Sequence, residues 1–312
     1  MKQFLDDVLK GLQASPKYLD SKYFYDKEGD RLFQKIMESD EYYLTNAEME
    51  IFSTQQKSMA DEVIKNADKL DVIEFGPGDV TKSIHLLKEL SARNAIDNYV
   101  PIDISKNIIT FLENDLPKQI PDLTIKGLAG EYFEMLTSAK NISPNRKLVL
   151  FLGANIGNFK FDEMPAFLSR LRNSLSTGDL VLIGFDLKKN PKKILAAYDD
   201  AEGYTKAFNL NLLHRINNEL HGNFIQHNFE HYAMYDPSTG ACKSFLISLK
   251  KQSVLIGKTE IHFEKDEPVF MEISQKYSMQ QINRITAEAG FANQANFFDS
   301  HHDFVDVIFM CN

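Results

Sequence analysis

The stretch Lys69-Leu70-Asp71-Val72-Ile73-Glu74-Phe75-Gly76-Pro77-Gly78-Asp79 decides the fold of this chain. Residues 69–75 form an apolar run typical of a short buried strand. Gly76 and Gly78 follow at once, and a glycine lets the backbone approach a ligand without a Cβ clash. The third glycine of a dinucleotide-binding fingerprint is replaced by Thr81, so this fingerprint is incomplete. A helical spacing of apolar residues comes next, at Ile84, Leu86, Leu87 and Leu90.

The same strand-and-helix unit repeats along the middle of the chain. Tyr99–Asp103 is a second strand-like run, and it precedes Ser105, a residue type that caps helices well. Leu148–Leu152 is continuously apolar, as expected of a strand covered on both faces. Gly178 breaks a helical pattern before the next run, Leu180–Gly184. The alternation predicts a parallel, doubly wound α/β sheet with right-handed crossovers.

The two flanks follow other patterns. Residues 1–66 have helical spacing, and Thr45-Asn46-Ala47-Glu48 predicts a capping box for a long helix. A helical stretch over about 191–220 is followed by strand-like runs over about 223–275. We therefore expect an α/β core interrupted by a second, α+β domain. The expected boundaries are 52–189 and 277–312 for the core, and 1–51 and 190–276 for the second domain.

Composition narrows the class of protein. The chain has 312 residues, with 35 Lys and Arg against 44 Asp and Glu, for a formal charge of −9. This balance lacks the basic footprint of a nucleic-acid-binding protein. The first residues lack the apolar core of a secretory signal, and no stretch approaches the ~20 apolar residues of a membrane span. We expect a cytoplasmic monomer whose partners are small molecules, with neither nucleic acid nor membrane.

Few residues suggest a metal site. Cys242 and Cys311 are the only cysteines, which fits a reducing compartment and gives no thiol cluster. His227 and His231 have the spacing of two metal ligands, but no third ligand is evident nearby. We therefore predict no bound metal.

One further residue, Asp103, points to a nucleoside cofactor. Asp103 ends the second strand, about 25 residues after Gly78, where a carboxylate can accept both hydroxyls of a ribose. The alternative, a tight turn followed by a solvated Asp, stays open.

A capping box at Ser278–Gln281 starts a last helix, and two strands, Gln294–Phe298 and Phe304–Met310, follow it. The strand-Glu-x-Gly-x-Gly opening and this closing hairpin resemble class I S-adenosylmethionine (SAM) methyltransferases, which have a Rossmann-like fold.

Five motifs resemble a more specific family. They are Tyr23-Phe24-Tyr25-Asp26, Glu41-Tyr42-Tyr43-Leu44-Thr45, Phe151-Leu152-Gly153-Ala154-Asn155-Ile156-Gly157-Asn158-Phe159, Ala197-Tyr198-Asp199-Asp200 and Phe270-Met271-Glu272-Ile273-Ser274. In this order they resemble the histidine-specific SAM-dependent methyltransferases, whose best-known members make trimethylhistidine (hercynine) for ergothioneine synthesis. The resemblance runs from about residue 15 to the C-terminus. It implies a class I methyltransferase sheet with an antiparallel last strand, an inserted α+β substrate-binding domain, and SAM as cofactor.

The resemblance implies a set of cofactor-binding residues. They are Gly76, Gly78, Lys82, Asp103, Glu131 and Tyr132. Lys82, one turn into the first core helix, would meet the cofactor's carboxylate. Glu131 would accept from the adenine amino group and Tyr132 would stack on the ring. Glu131 is a mild departure, because the family position is often Asp. A solvated Lys82 and a core aromatic Tyr132 stay open as alternatives.

The resemblance also implies an amino-acid site. Its residues are Tyr25, with a catalytic role, and Tyr42, Asn158, Tyr198, Glu272 and Ser274. Glu272 lies in an apolar strand-like run, where an unpaired carboxylate is costly and the imidazole of a bound histidine would satisfy it. Ser274 would face the same side. A turn-forming Asn158, tyrosines that only pack, and a Glu272 solvated on an exposed edge strand are the alternatives.

One position departs from the family pattern. Where histidine-methylating members carry a Met near the imidazole, this chain places Ser244. A smaller, polar lining there would alter selectivity for the substrate side chain. Histidine is therefore the predicted but unproven substrate.

The predicted reaction is transfer of the SAM methyl to the α-amino nitrogen of a free amino acid, most simply histidine. Tyr25 would hold the neutral amine, and aromatic faces would stabilise the methylated ammonium. The alternatives are another amino acid or small amine as substrate, and a SAM-binding regulatory protein without turnover.

Overall fold

The computed structural model describes residues 2–65 and 69–312. The helices are α1 (Lys2–Gln13), α2 (Lys27–Glu38), α3 (Tyr43–Ile64), α4 (Ile84–Ala92), α5 (Lys106–Gln119), α6 (Tyr132–Lys140), α7 (Met164–Asn173), α8 (Pro191–Ala196), α9 (Tyr204–Leu220) and α10 (Met279–Glu288). The first strands are β1 (Lys17–Tyr18), β2 (Leu70–Phe75), β3 (Ile96–Asp103), β4 (Thr124–Ile125), β5 (Leu128–Ala129), β6 (Arg146–Phe151) and β7 (Leu180–Asp186). The later strands are β8 (Phe229–Asp236), β9 (Ala241–Ser248), β10 (Gln252–Ile256), β11 (Thr259–Phe263), β12 (Pro268–Gln275), β13 (Phe291–Phe298) and β14 (Phe304–Cys311).

The chain divides into two compact units. Unit 1 holds residues 1–43 and 189–275, and unit 2 holds residues 44–188 and 276–312. The first break follows residue 43, eight residues before the expected break after residue 51 (51 − 43 = 8), because α3 belongs to unit 2 from its second residue onward. The functions that the sequence assigns to the two parts stay predictions.

Unit 2 contains the doubly wound sheet. Its strand order is β13-β14-β7-β6-β2-β3-β4, with β5 also paired to β3. The neighbouring strands β7, β6, β2, β3 and β4 pair in parallel. By contrast, β14 runs antiparallel to β7, and β13 runs antiparallel to β14. The predicted class I methyltransferase sheet with an antiparallel last strand is therefore confirmed.

The sheet of unit 2 is buried on both faces, which explains its sequence. All six residues of β2 and all seven of β7 are buried. Parallel strands covered by helices on both sides are mostly apolar, and the exceptions here, Asp71 and Glu74 in β2 and Asp186 in β7, are buried as well. Because β2, β3, β6 and β7 are parallel, their carboxyl ends meet at one edge, and ligands of open α/β sheets bind at that edge.

Unit 1 has its own core. A four-stranded sheet has the order β1-β12-β9-β8, and β10 pairs with β11. Helices α2 and α9 pack against each other, and α9 also packs against β8 and β9. Apolar side chains of α1, α2, α9 and the strands form one buried cluster. Strand β12 lies between β9 and the two-residue strand β1, which pairs only with Val269 and Phe270, and Glu272 is partly buried.

The observed first residues of the helices show which of the predicted N-terminal caps are correct. Ser105 caps α5 by accepting from the Ile108 N–H, and Ser278 forms the predicted capping box with Gln281. The predicted capping box at Thr45 is wrong, because α3 already begins at Tyr43 and Thr45 lies inside the helix. Of the segment 1–66, Met1 and Asn66 lie outside the described residues.

Residues 2–65 and 69–312 contain neither a helix suited to cross a membrane nor a cluster of metal-binding side chains. None of the helices there combines the length and apolarity needed to cross a bilayer. Nor does that part of the chain hold a group of three or more His, Cys, Asp or Glu side chains placed to bind a metal ion.

Candidate active site

The glycine turn after β2 leaves open space at the carboxyl edge of unit 2. Gly76 and Gly78 have φ of +60° and +57°, a region that favours glycine. A Cβ on Gly76 would lie 2.8 Å from the Tyr132 hydroxyl oxygen, so a larger residue would also clash there. A Cβ on Gly78 would meet nothing within 4 Å. The turn therefore exposes backbone beside a free volume, as a cofactor cradle requires.

Three more of the predicted cofactor residues lie close together. The Asp103 carboxylate, at the end of β3, accepts from the Ser105 N–H at 2.8 Å, and burial raises its pKa. The Asp103 carbonyl accepts from the Gly130 N–H at 2.9 Å, which holds the residues before α6 against β3. Burial first, and then the charges of Asp103 and Glu131, raise the pKa of Tyr132 to about 12. Asp103, Glu131 and Tyr132 thus form one group next to the glycine turn.

The Tyr132 ring has one face already in use. It stacks on Phe75 with 4.8 Å between ring centroids and 5° between planes. It also meets Phe151 edge-on at 6.2 Å. Packing therefore accounts for one face of Tyr132, and stacking of the cofactor's adenine on this ring stays a prediction.

The position of Lys82 differs from the prediction. It lies in the turn before α4, which begins at Ile84, and not one turn into the helix. Its ammonium pairs with the buried carboxylate of Glu48 on α3, so the alternative of a solvated lysine is wrong. The two carboxylate oxygens of Glu48 also accept from the Gly153 N–H at 2.7 and 3.0 Å. Glu48 therefore ties the segment after β2 to the segment after β6.

A second buried acid lies beside Glu48. A Cβ on Gly184 of β7 would fall 2.5 Å from Glu48 Oε1 and 3.1 Å from Asp306 Oδ1, so only glycine fits between these carboxyl groups. Asp306, on β14, is fully buried, and neither of its carboxyl oxygens has a hydrogen-bond partner. Burial and the neighbouring charge of Glu48 raise the pKa of Asp306 well above its usual range. Burial therefore favours the protonated form of Asp306 over the charged form.

Sequence reasoning missed both of these acids. The capping-box pattern predicts Glu48 in the first turn of a helix, whereas Glu48 lies buried inside α3. Asp306 interrupts the apolar run Phe304–Phe309, and a single acid inside a buried strand was the available signal.

Glu74, just before the glycine turn, is a third buried acid. The Tyr99 hydroxyl donates to Glu74 Oε2 at 2.6 Å. Burial raises the pKa of Glu74 from 4.5 to about 7, against the opposing effect of the Tyr99 hydrogen bond. This carboxyl group therefore titrates near neutral pH in the folded protein.

Glu74→Gln should change how stability depends on pH. A carboxyl pKa that is raised in the folded state adds stability below its unfolded value of 4.5, and that stability is lost as the pH rises through about 7. The variant removes this loss, which amounts to about 3 kcal/mol for a shift of this size. We expect urea unfolding at pH 5 and pH 8 to show a smaller difference in the variant than in the wild type. Equal differences would contradict the raised pKa.

Unit 1 connects the predicted tyrosines through ring contacts. Tyr25, in the loop before α2 and half exposed, meets Phe33 edge-on at 5.6 Å. Phe33 contacts Tyr42 at 6.4 Å, and Tyr42 contacts Tyr198 at 6.3 Å. The three tyrosines come from separate parts of the chain, and the fold of unit 1 brings them into one row.

The row continues into strand β12 through hydrogen bonds. The buried Tyr198 hydroxyl donates to Ser274 Oγ at 2.7 Å. Two residues back, Glu272 Oε1 accepts from Asn209 Nδ2 at 3.3 Å. After a register shift between Phe270 and Glu272 the strand is regular, and Glu272 and Ser274, two residues apart, lie on one face of the sheet. Of the six predicted substrate residues, unit 1 therefore groups Tyr25, Tyr42, Tyr198, Glu272 and Ser274.

The sixth predicted substrate residue belongs to unit 2. Asn158 is exposed and ends the short 3₁₀ helix Asn155–Asn158, which follows β6 at the carboxyl edge. Its predicted contact with a substrate carboxylate stays a prediction.

Comparison with known proteins shows to which family the chain belongs. The sequence profile described as "Histidine-specific methyltransferase, SAM-dependent" matches residues 4–311. The chain belongs to this family. Histidine N-alpha-methyltransferase of Mycolicibacterium smegmatis is 32% identical over 96% of this chain and 92% of its own. L-tryptophan methyltransferase of Psilocybe serbica is 27% identical over 94% of this chain and 88% of its own.

A solved structure supports the fold assigned to this member of the histidine-specific methyltransferase family. The CurJ carbon methyltransferase aligns with a TM-score of 0.50, covering 99% of this chain and 66% of that chain at 12% identity. At this identity the likeness shows the fold alone.

Membership confirms two predictions. The protein is a SAM-dependent methyltransferase, and SAM is its cofactor. The residues of unit 2 fit this cofactor, because the turn at Gly76 and Gly78 leaves open space and the half-buried Asp103 carboxylate ends the adjacent strand. Which residues bind SAM stays a proposal.

Proposed function

We propose that this enzyme methylates the α-amino nitrogen of free L-histidine. The observation that carries the proposal is the connected group of Tyr25, Tyr42, Tyr198, Glu272 and Ser274 in unit 1. A group of tyrosine hydroxyls ending in a carboxylate suits a small amino acid with a nitrogen-bearing side chain. The 32% identity with a histidine N-alpha-methyltransferase supports the same substrate.

The polar end of this group is assigned to the imidazole. Glu272 accepts from a ring N–H, and Ser274 contacts the ring from the same face of β12. Tyr198, whose hydroxyl already meets Ser274, is assigned to the substrate carboxylate. Asn158, which belongs to unit 2, keeps the substrate-binding role that the family resemblance implies.

Tyr25 is assigned to the reacting amine. When bound, SAM supplies a methyl group already activated on a sulfonium, so the protein mainly has to align the acceptor nitrogen. The Tyr25 hydroxyl would hold the neutral amine with its lone pair free. The rings of Tyr25 and Tyr42 would stabilise the cationic ammonium that repeated methylation produces. We therefore assign Nα-trimethylhistidine as the final product.

The cofactor is assigned to unit 2. Gly76 and Gly78 would approach it with backbone, Asp103 would accept the ribose hydroxyls, and Glu131 and Tyr132 would contact the adenine. Lys82 gives one N–H to Glu48 and keeps further donors for the cofactor's carboxylate.

Another amino acid is the competing substrate, because a relative is an L-tryptophan methyltransferase. An indole offers one N–H donor and no acceptor nitrogen. Glu272, Ser274 and Asn209 form a polar surface that an imidazole matches better. A site built for hydrogen bonds discriminates strongly against a side chain that lacks them.

Calorimetric titration in the presence of S-adenosylhomocysteine tests the proposal. We expect saturable binding of histidine and at least tenfold weaker binding of tryptophan and phenylalanine. Equal or tighter binding of tryptophan would overturn the choice of substrate while leaving the reaction class intact.

A further inference from the structure

Asn209, on α9, is fully buried, and its side chain is only partly satisfied. Its Nδ2 donates to the Thr205 carbonyl at 3.1 Å and to Glu272 Oε1 at 3.3 Å. Both amide hydrogens are therefore in use, which fixes the orientation of the amide. Its Oδ1 is buried without a hydrogen-bond partner. An acceptor thus lies next to the Glu272 carboxylate with nothing bound to it.

Ser244 is a second unsatisfied group beside the same carboxylate. It pairs directly with Glu272 across strands β9 and β12, so the two side chains share one face of the sheet. Ser244 is 1% exposed, and its hydroxyl has no hydrogen-bond partner. Its other cross-strand neighbour is Ala233, which has no polar side-chain atom to offer.

These unsatisfied atoms need a physical explanation. A buried polar group without a partner costs about 1–3 kcal/mol, and such groups are few in native proteins. Here two of them flank one carboxylate, from the helix side and from the neighbouring strand. A ligand that supplies the missing partners would remove the cost.

The chemistry of the three groups defines that ligand. Glu272 and Asn209 Oδ1 accept hydrogen bonds, whereas the Ser244 hydroxyl can also donate. A neutral azole ring matches this set, because one of its nitrogens carries a hydrogen and another has a free lone pair. An indole lacks the acceptor nitrogen, and a phenyl or thienyl ring lacks both groups.

We propose that Asn209 and Ser244 determine specificity by selecting, together with Glu272, a side chain that carries both a donor and an acceptor nitrogen. The ring N–H donates to Glu272 or to Asn209 Oδ1, and the ring nitrogen accepts from Ser244 Oγ. This inference rests on the proposed function, since it places the substrate side chain at Glu272.

The test compares histidine with 3-(2-thienyl)alanine, which has a ring of similar size without N–H groups. Ser244→Ala and Asn209→Leu should each lower kcat/KM for histidine about tenfold and leave the value for thienylalanine unchanged. The KM for SAM should not move. Ser244→Thr keeps the hydroxyl and should recover most of the histidine activity. Asn218→Leu, on the exposed side of α9, is the matched control and should behave as wild type.

Two results would count against the account, and they are distinguishable. Equal losses for histidine and thienylalanine in the variants, with wild-type preference for histidine, would overturn this inference alone. A wild-type enzyme that methylates another amino acid and not histidine would overturn the proposed function. Calorimetric binding of histidine to each variant gives a second readout if a variant turns over too slowly to measure.

Discussion

We expect the replacement of Glu48 with alanine to lower the free energy of unfolding by about 2–3 kcal/mol. Glu48 is fully buried and is the ion-pair partner of Lys82 in unit 2. The variant leaves a buried ammonium without its counter-charge and removes the acceptor of the Gly153 N–H. The Lys82 side chain is 24% exposed, so water recovers part of the loss and the effect stays below the range for fully buried pairs.

Urea unfolding measures this effect, with two control variants. Glu48→Gln keeps an acceptor for Gly153 but removes the charge, and it should fall between wild type and Glu48→Ala. Glu62→Ala removes a carboxylate from the same helix whose ion-pair partner, among residues 2–65 and 69–312, is Lys65, three residues on, and it should cost less than about 0.5 kcal/mol. If Glu48→Ala were as stable as Glu62→Ala, Glu48 would not hold the two segments together.

We expect the replacement of Glu272 with alanine to lower kcat/KM for histidine by about 100-fold or more and to leave the KM for SAM unchanged. The expected size follows from losing a hydrogen bond to a charged group, worth about 1.5–3 kcal/mol, together with a buried Asn209 amide left without its acceptor. Activity on amino acids with apolar side chains should stay low but should not fall further, because those side chains never bonded to the carboxylate.

Steady-state kinetics with histidine and with phenylalanine separate the possible causes. Glu260→Ala, an exposed carboxylate on β11 of the same unit, is the control and should match wild type. An equal loss on both amino acids would show that Glu272 supports the fold of unit 1 and not the recognition of imidazole.

The α/β sheet was predictable because the patterns that specify its strands and helix starts each lie within a few consecutive residues. A strand buried on both faces is mostly apolar, and β2, β6 and β7 fit this apart from five polar residues, Asp71, Glu74, Arg146, Lys147 and Asp186. The glycines at 76 and 78 marked the carboxyl edge because both take positive φ. Ser105 and Ser278 marked helix starts because their hydroxyls accept from the N–H groups that begin a helix.

The charged groups of unit 2 were not predictable in the same way. Thr45 and Glu48 have the spacing of a capping box, but the helix starts earlier and Glu48 takes long-range partners. A capping pattern describes a few consecutive residues, whereas Lys82 and Gly153 reach Glu48 only through the tertiary fold. The raised pKa of Asp306 likewise depends on burial, which the sequence indicates only through its apolar neighbours.

The substrate group of unit 1 was predicted through resemblance and not from residue patterns. Its residues come from a loop, two helix ends and one strand, and no spacing rule links them. Asn209 carried a weak signal, since it follows Phe208 and precedes Leu212 and Leu213 on the buried side of α9. A polar residue on such a face often has a specific partner, and here that partner is Glu272.

One measurement tests the central claim most directly. The purified protein is incubated with SAM and each common amino acid in turn, and the products are resolved by mass. We expect histidine to gain one, two and three methyl groups, with fragmentation placing all of them on the α-nitrogen, and no other amino acid to reach comparable turnover. Methylation of a different amino acid, with histidine unchanged, would contradict the account.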